Sequence, residues 1–420
     1  MRPRSTRRPL TLPLALAIAA VSIHADVIVV DAANGAGSDF TDIGIAVNAA
    51  REGDTILVRD GLYSWLSIVG KSVTVLADGA DVRLQGNLFV GDLAFGQQVL
   101  VRGVQASALF VEDCEGAVWF DTVDNLPSKT VYPSTSCFAI AAAGARVSRS
   151  ERVTFTSCTL GGGTAGGGAG WQPAVPGDGA YLYQSTAQFL DCRLTGGEGT
   201  LDIDNTIWGP GVGGAGLKLW DSTATTIGCT ITGGGGGVSA SAVCTNSKAA
   251  GGPGVCFYNA SGGVIRSAAS TATGGARDLS LLCGSGTYGP AGPAISGAGT
   301  IVPLPGFARH LRMNSPVRGG QTLTFEVEGQ PGELPILITS LVHEPVPFLG
   351  GSLLLQLPPE EIYVLGTLPA NGQATLSLPV QDVGLAIGAI PLYAQAAFLD
   401  TSSMVWIGGA SSTVLVDSSF

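Results

Sequence analysis

Glu198, Asp202, Asp204 and Asn205 set several oxygen side chains close together in one Gly-rich stretch, the kind of donor set that could ligate Ca²⁺. The stretch lacks the central Gly and distal Glu of an EF-hand loop. A turn in which Asp and Asn bond their own backbone explains the same residues. Arg193 and Lys218, in neighbouring copies of a repeat described below, are the bases that a lyase using such a metal would need. Of the three histidines, His24 stands in the leader and His310 and His343 lie far toward the C-terminus. No Cys-x-x-Cys pair suggests zinc, and no Gly-Lys-Ser/Thr ending makes the Gly runs phosphate loops.

A second constellation is aromatic. Tyr183, Trp220 and Tyr258 recur at one position of the repeat, with Tyr181 and Lys218 in the adjacent column. Aromatic faces stacked this way would offer a platform for sugar rings, unless the Gly-rich insertions cover them.

These residues need a scaffold, and three gapless copies describe it: Gly179-AYLYQSTAQFLD-Cys192, Gly216-LKLWDSTATTIG-Cys229 and Gly254-VCFYNASGGVIR-Ser267, with a looser one ending at Cys158. Period-two alternation turns Ala180, Leu182, Leu217, Leu219, Val255 and Phe257 inward on a first strand. On a second strand it assigns Leu190, Ile227 and Ile265 to the inside, then the Cys column, then Leu194 and Ile231. A unit this small cannot bury its apolar face alone, so the copies must stack. The Gly runs between copies are expected to supply positive φ at bends and to form insertions on one side.

Composition agrees. With 62 Gly and 13% charged residues, the chain of 420 suits many short strands better than helices. At the mature N-terminus, VIVVD reads as a strand. Asp39 or Thr41 is expected to cap a short helix from about Asp42 to Arg51, which would cover the open end of the stack.

Residues 1–25 read as a secretory signal peptide, with Arg2, Arg4, Arg7 and Arg8 before the apolar run Leu10 to Val21. Thr6-Arg7-Arg8-Pro9-Leu10 also resembles a twin-arginine signal. The run is too short for a membrane span, so an exported protein without a transmembrane segment is expected. Net charge is −11 before the leader arginines are removed, which argues against nucleic acid as a partner.

Taken together, the opening DFTDIGIAVNAAREGDTILVRDGLYSW and the Cys-x-(Leu/Ile)-x-Gly-Gly copies resemble right-handed parallel β-helix proteins of the pectin-lyase-like superfamily, of the secreted bacterial type with Gly-rich insertions. The likeness spans about residues 26–302. It implies an all-β fold, in a superfamily that includes lyases, hydrolases, adhesins and proteins of unknown role. The paired Asp, His-Gly and Arg-x-Lys signatures of the hydrolases are not found. An extracellular, cell-surface or periplasmic structural or glycan-binding protein is therefore expected, with an atypical polysaccharide lyase or glycoside hydrolase as the alternative and Ca²⁺ as the one cofactor with candidate ligands.

After residue 283 the chain loosens into GSGTYGPAGPAISGAG and PLPG, which reads as a linker. Residues 303–420 are expected to hold this linker and a small antiparallel β-sandwich, a spacer or attachment module with strands near 322–328, 335–342, 353–357, 362–368, 374–380, 390–399, 404–407 and 413–416. Among the cysteines, Cys158, Cys192 and Cys229 are expected inside as free thiols. Cys244 with Cys256 is the preferred disulfide, and Cys114 with Cys137 a second pairing.

Overall fold

The computed structural model describes residues 26–125, 141–164, 176–199, 212–237, 249–258, 262–276, 290–304, 307–348, 351–384 and 387–420. From Val27 to Pro303 the chain winds as a parallel β-helix, each full coil contributing one strand to each of three faces. The first face stacks eight strands from Leu66–Val69 to Ile295–Ser296 in parallel register. The second runs through Gln98–Arg102, Ala117–Asp121, Val153–Thr156, Thr186–Leu190 and Thr223–Ile227 to Thr300–Pro303. The third runs through Val104–Ala106, Thr159–Gly161, Arg193–Thr195 and Thr230–Thr232 to Thr271–Thr273. Ile295–Ser296 and Thr300–Pro303 come from the segment expected to be linker; they extend the coil instead.

At the N-terminal end the helix Ile43–Ala49 lays Ile43, Ala46 and Val47 over the core. Its N-cap is Asp42, whose carboxylate accepts from the N–H groups of Gly44 and Ile45. Asp39, an expected cap, instead accepts from the Val29 N–H at 2.8 Å.

Within the coils like residues stack on like. Phe120, Phe155 and Phe189 form one interior column with centroids 5.1 and 5.0 Å apart. The corners between faces are made by single residues in the left-handed region, and most are not glycine. Asp113, Arg149, Gln184 and Asp221 turn the first face into the second; Thr122, Ser157, Asp191, Gly228 and Ala269 turn the second into the third.

A left-handed corner interrupts the strand ladder, and the next side chain tidies it. Ser150, Ser185 and Ser222 each donate to the carbonyl two residues back and accept an N–H from the coil before. At the other corner Cys158, Cys192 and Cys229 donate their thiols to the Phe120, Phe155 and Phe189 carbonyls at 3.5, 3.4 and 3.2 Å.

The corners correct the inward assignment of the second strand. Leu190 pairs with Ile227 and then with Ala268, and Leu190 points away from the coil interior. Ile265 does face inward, but in the Ala187 and Ala224 column. The third copy is therefore three residues longer between its first and second strands than the gapless alignment allows. Ser270, not Ser267, continues the Cys column, and its hydroxyl accepts the Cys229 N–H.

The Gly runs also do something other than turn. Arms leaving the third face and arms entering the first interleave in one ladder, in which the N–H of Gly163, Gly177, Gly197, Gly214, Gly234, Gly252, Gly275 and Gly292 each bonds the preceding arm at 2.7–3.1 Å. A Cβ on Gly214 would lie 2.1 Å from the Gly177 carbonyl oxygen, and one on Gly234 only 1.9 Å from that of Gly197. None of these glycines has positive φ. Closeness of backbone, rather than conformational freedom, excludes any side chain here.

Residues His310 to Val416 form a β-sandwich that is antiparallel except where Val317–Arg318 pairs parallel with Val405–Val416. A three-stranded sheet of His310–Met313, Thr322–Glu328 and Gln373–Pro379 faces a five-stranded sheet ordered Val317–Arg318, Val405–Val416, Ala389–Leu399, Leu334–Ser340, Glu361–Val364. The two strands expected at 404–407 and 413–416 are one, Val405–Val416. Leu323, Phe325, Val327, Leu337 and Phe398 fill the space between the sheets.

The sandwich lies against the flank of the coils. Leu57, Leu76, Leu100, Trp119 and Leu190 project outward from the second face into Leu354, Leu355, Tyr393, Ala410, Val414 and Val416. Polar contacts frame this apolar seam. Asp121 accepts the Ser412 N–H and hydroxyl, each at 2.7 Å, and pairs with Arg102, which donates to the Met313 carbonyl. Arg318 grips both oxygens of Asp78 at 2.8 and 2.7 Å, and His310 meets Asp191 at 2.7 Å.

Candidate functional site

The aromatic constellation is assembled on the first face. In Ala180–Tyr183 and Leu217–Trp220 the alternate residues Ala180, Leu182, Leu217 and Leu219 enter the core, so Tyr181, Tyr183, Lys218 and Trp220 must point outward. Parallel register puts Tyr183 beside Trp220, and Tyr181 beside Lys218 and then Cys256. The corners fix the strand ends: the Tyr183 carbonyl accepts from the Arg149 N–H and the Ser185 hydroxyl, that of Trp220 from the Gln184 N–H and the Ser222 hydroxyl. Two bonds on each carbonyl hold the base of each ring in place.

The three rings touch, but they do not form a flat platform. Tyr183 meets Trp220 at 5.4 Å with planes 79° apart, and Trp220 meets Tyr258 at 4.9 Å with planes 42° apart. Edge-to-face contact is a preferred aromatic geometry. Tyr183 and Trp220 are half-buried, and Tyr258 is 43% exposed. The result is a ridge with ring faces turned in different directions.

Beside it stands a polar group that sequence reasoning caught only in part. The Lys218 ammonium lies 3.5 Å from Asp178, 4.8 Å from the centre of the Tyr258 ring and 5.4 Å from that of Tyr181. Arg146 lies 6.0 Å from the Tyr181 ring on its other side. Asp178 accepts the Ala215 N–H at 2.9 Å; burial pushes its carboxyl pKa up, against the lowering effect of Lys218. Asp178 was missed, although an acid placed just before the invariant Gly of a copy, in an otherwise apolar arm, was a usable signal.

The metal and lyase expectations fare differently. Glu198 is exposed at the end of a Gly arm, and Asp202, Asp204 and Asn205 lie outside the described residues. Among the described residues no group of three His, Cys, Asp or Glu side chains converges as a metal site. Arg193 and Lys218 do not share a surface, since Arg193 is on the third face and Lys218 on the first. Neither His310 nor His343 lines an open face of the coils; both sit in the seam with the sandwich.

Cys114, Cys158, Cys192 and Cys229 are buried free thiols, and burial holds the Cys192 and Cys229 pKa values well up. Cys256 is half-buried near Lys218. Its expected partner Cys244, and Cys137, lie outside the described residues.

No protein-family model and no curated protein matches this chain. Among solved structures it is similar to a superoxide reductase (neelaredoxin) from Ignicoccus hospitalis, at 14% identity over 27% of this chain and 81% of the other, with a TM-score of 0.15. A score that low carries no argument about fold or activity.

Proposed function

We propose that this is an exported, non-catalytic glycan-binding protein built on a β-helix of the kind found in the pectin-lyase-like superfamily, and that its ligand lies across the ridge of Tyr183, Trp220 and Tyr258. One observation carries the reading: three aromatic side chains from three successive coils form a contacting row, Tyr183 to Trp220 to Tyr258, that reaches solvent on the first face. Aromatic rings bind the C–H faces of sugars, and polar groups with fixed orientation read their hydroxyls. Tyr181, Lys218 and Asp178 supply those groups within reach of the ridge. Because the rings are tilted, the ridge suits a bent or branched glycan better than a flat sheet of parallel chains.

Retention on a panel of insoluble and immobilised polysaccharides tests the proposal. The parent protein should bind at least one, and Trp220→Ala should weaken that binding at least tenfold. Undiminished binding by Trp220→Ala removes the ridge as the site. The alternative, cleavage, draws on the raised Asp178 carboxyl beside Lys218. Measuring reducing ends and unsaturated products on the same panel separates the two, since a binding protein releases neither.

A further inference from the structure

Two of the sandwich's four outer strands are treated very differently. Gln373–Pro379, on the three-stranded sheet, turns Gln373, Thr375 and Ser377 to solvent and ends in Pro379, which has no N–H to donate. Polar side chains and a terminal proline are common protections of a free sheet edge. Glu361–Val364, on the five-stranded sheet, has a polar side chain only at its first residue, Glu361, and no proline within it. Among the described residues it pairs only with Leu334–Ser340, and its outward side chains are Ile362, 56% exposed, and Val364, 61% exposed. Tyr363 between them turns into the sandwich, 6.5 Å from the Phe325 ring.

The apolar surface does not stop at this strand. Ile362 pairs across to Ile338 and Val364 to Ile336, and Ile338 packs against the apolar seam that joins sandwich and coils. One face of the five-stranded sheet is thus covered over its inner strands and bare at Glu361–Val364. A bare apolar edge with free backbone groups is a template for another strand.

We propose that Glu361–Val364 is a homotypic interface, at which a second copy of this chain pairs antiparallel about a two-fold axis through Tyr363. Side chains alternate with period two, so only a register that opposes residues of like parity brings apolar faces together. Centring the axis on Tyr363 does this: Ile362 of each copy faces Val364 of the other, and Glu361 faces Leu365. No like charges meet. The strand is therefore its own complement, and pairing joins two five-stranded sheets into one of ten. With so short an edge the buried area is at the small end for specific interfaces, which points to a reversible dimer rather than a permanent one.

Sedimentation equilibrium of residues 26–420, from about 10 µM to about 1 mM, tests this. The expected result is a monomer–dimer equilibrium within that range. The double variant Ile362→Lys, Val364→Lys should dimerise at least tenfold more weakly with an unchanged melting temperature, because both side chains already face solvent. A parent mass that stays at one chain throughout, or a variant that dimerises as tightly, overturns the proposal. Hydrogen exchange on the parent protein gives a check without mutation. Amides of residues 361–365 should exchange more slowly as concentration rises, and concentration-independent exchange there also overturns it.

Discussion

Trp119 of the β-helix stacks on Tyr393 of the sandwich, with ring centroids 5.1 Å apart and planes 21° from parallel, and both side chains are fully buried. The Trp119 indole N–H donates to Thr156 at 2.8 Å, so the ring is anchored to its own coil while its face belongs to the other domain. His343 completes the cluster, 4.6 Å from Trp119, with one ring nitrogen 3.2 Å from the Thr154 hydroxyl. The two domains share a core here and should unfold as one cooperative unit.

Trp119→Ala is the direct test. Removing a buried aromatic of this size costs about 3–5 kcal/mol. The loss should appear in both domains: a single calorimetric transition in the parent should move down in temperature or split into two. A variant that melts as one unit at the parent temperature would show that the seam contributes little.

The two seam histidines should give stability opposite pH slopes. Burial holds the His343 pKa down at about 3, from an ordinary 6.5, and Arg152 adds to the effect. Between those values the unfolded chain binds the proton and the folded one does not. The His343 contribution is thus complete above pH 6.5 and falls by up to about 1.4 kcal/mol per unit below it. Asp191 raises the His310 pKa, with Glu328 adding and Arg312 opposing. That contribution is complete below pH 6.5 and is lost as pH rises through the raised value. Melting temperatures across pH 4–9 should show both slopes, with His343→Gln flattening the acid limb and His310→Gln the alkaline one.

Gly214→Ala and Gly235→Ala separate the Gly ladder from mere Gly richness. The first would set a methyl 2.1 Å from the Gly177 carbonyl oxygen; the second meets nothing nearer than 3.7 Å and has no positive φ. Gly214→Ala should lose about 3 kcal/mol or more in denaturant unfolding, at or above the usual range for overpacking. Gly235→Ala should stay within about 0.5 kcal/mol of the parent, as an unconstrained substitution does.

In the thiol column, Cys229→Ser should cost only about 1 kcal/mol, because Ser270 fills the equivalent corner of the next coil. Cys229→Val, with a branched side chain and no donor for the Phe189 carbonyl, should cost more. The native Cys192 and Cys229 thiols should resist an aromatic disulfide reagent until the protein unfolds, since buried thiols with raised pKa values are poor nucleophiles.

The first face was legible in the sequence because its strands alternate cleanly, as Ala180-Tyr181-Leu182-Tyr183 does. This brought Tyr183, Trp220 and Tyr258 together on paper as they stand in space. The second strand misled because a left-handed residue such as Asp191 resets the alternation, leaving Leu190 outside while Cys192 remains inside. Three extra residues between Phe257 and Val264 then shifted Ile265 out of its expected column.

The docked sandwich left a trace that was not read. Thr55-Ile56-Leu57-Val58, Val73-Thr74-Val75-Leu76 and Ala117-Val118-Trp119-Phe120 are apolar at positions of both parities. Strands of that kind are buried on two faces. Asp178 beside Lys218 was hidden for another reason. It enters the site from a Gly arm, and no periodicity reports on where such an arm passes.

An open solenoid can lose or gain a repeat and still stack, which is how such chains vary in length over evolutionary time. This one carries a gauge along its side. Arg318 reaches Asp78 near one end of the seam and His310 reaches Asp191 several coils further on, from a sandwich of fixed width. Deleting or duplicating the coil that holds Ala117–Asp121 would displace one contact from the other by a full strand spacing. The number of coils between Asp78 and Asp191 is therefore constrained by a second domain.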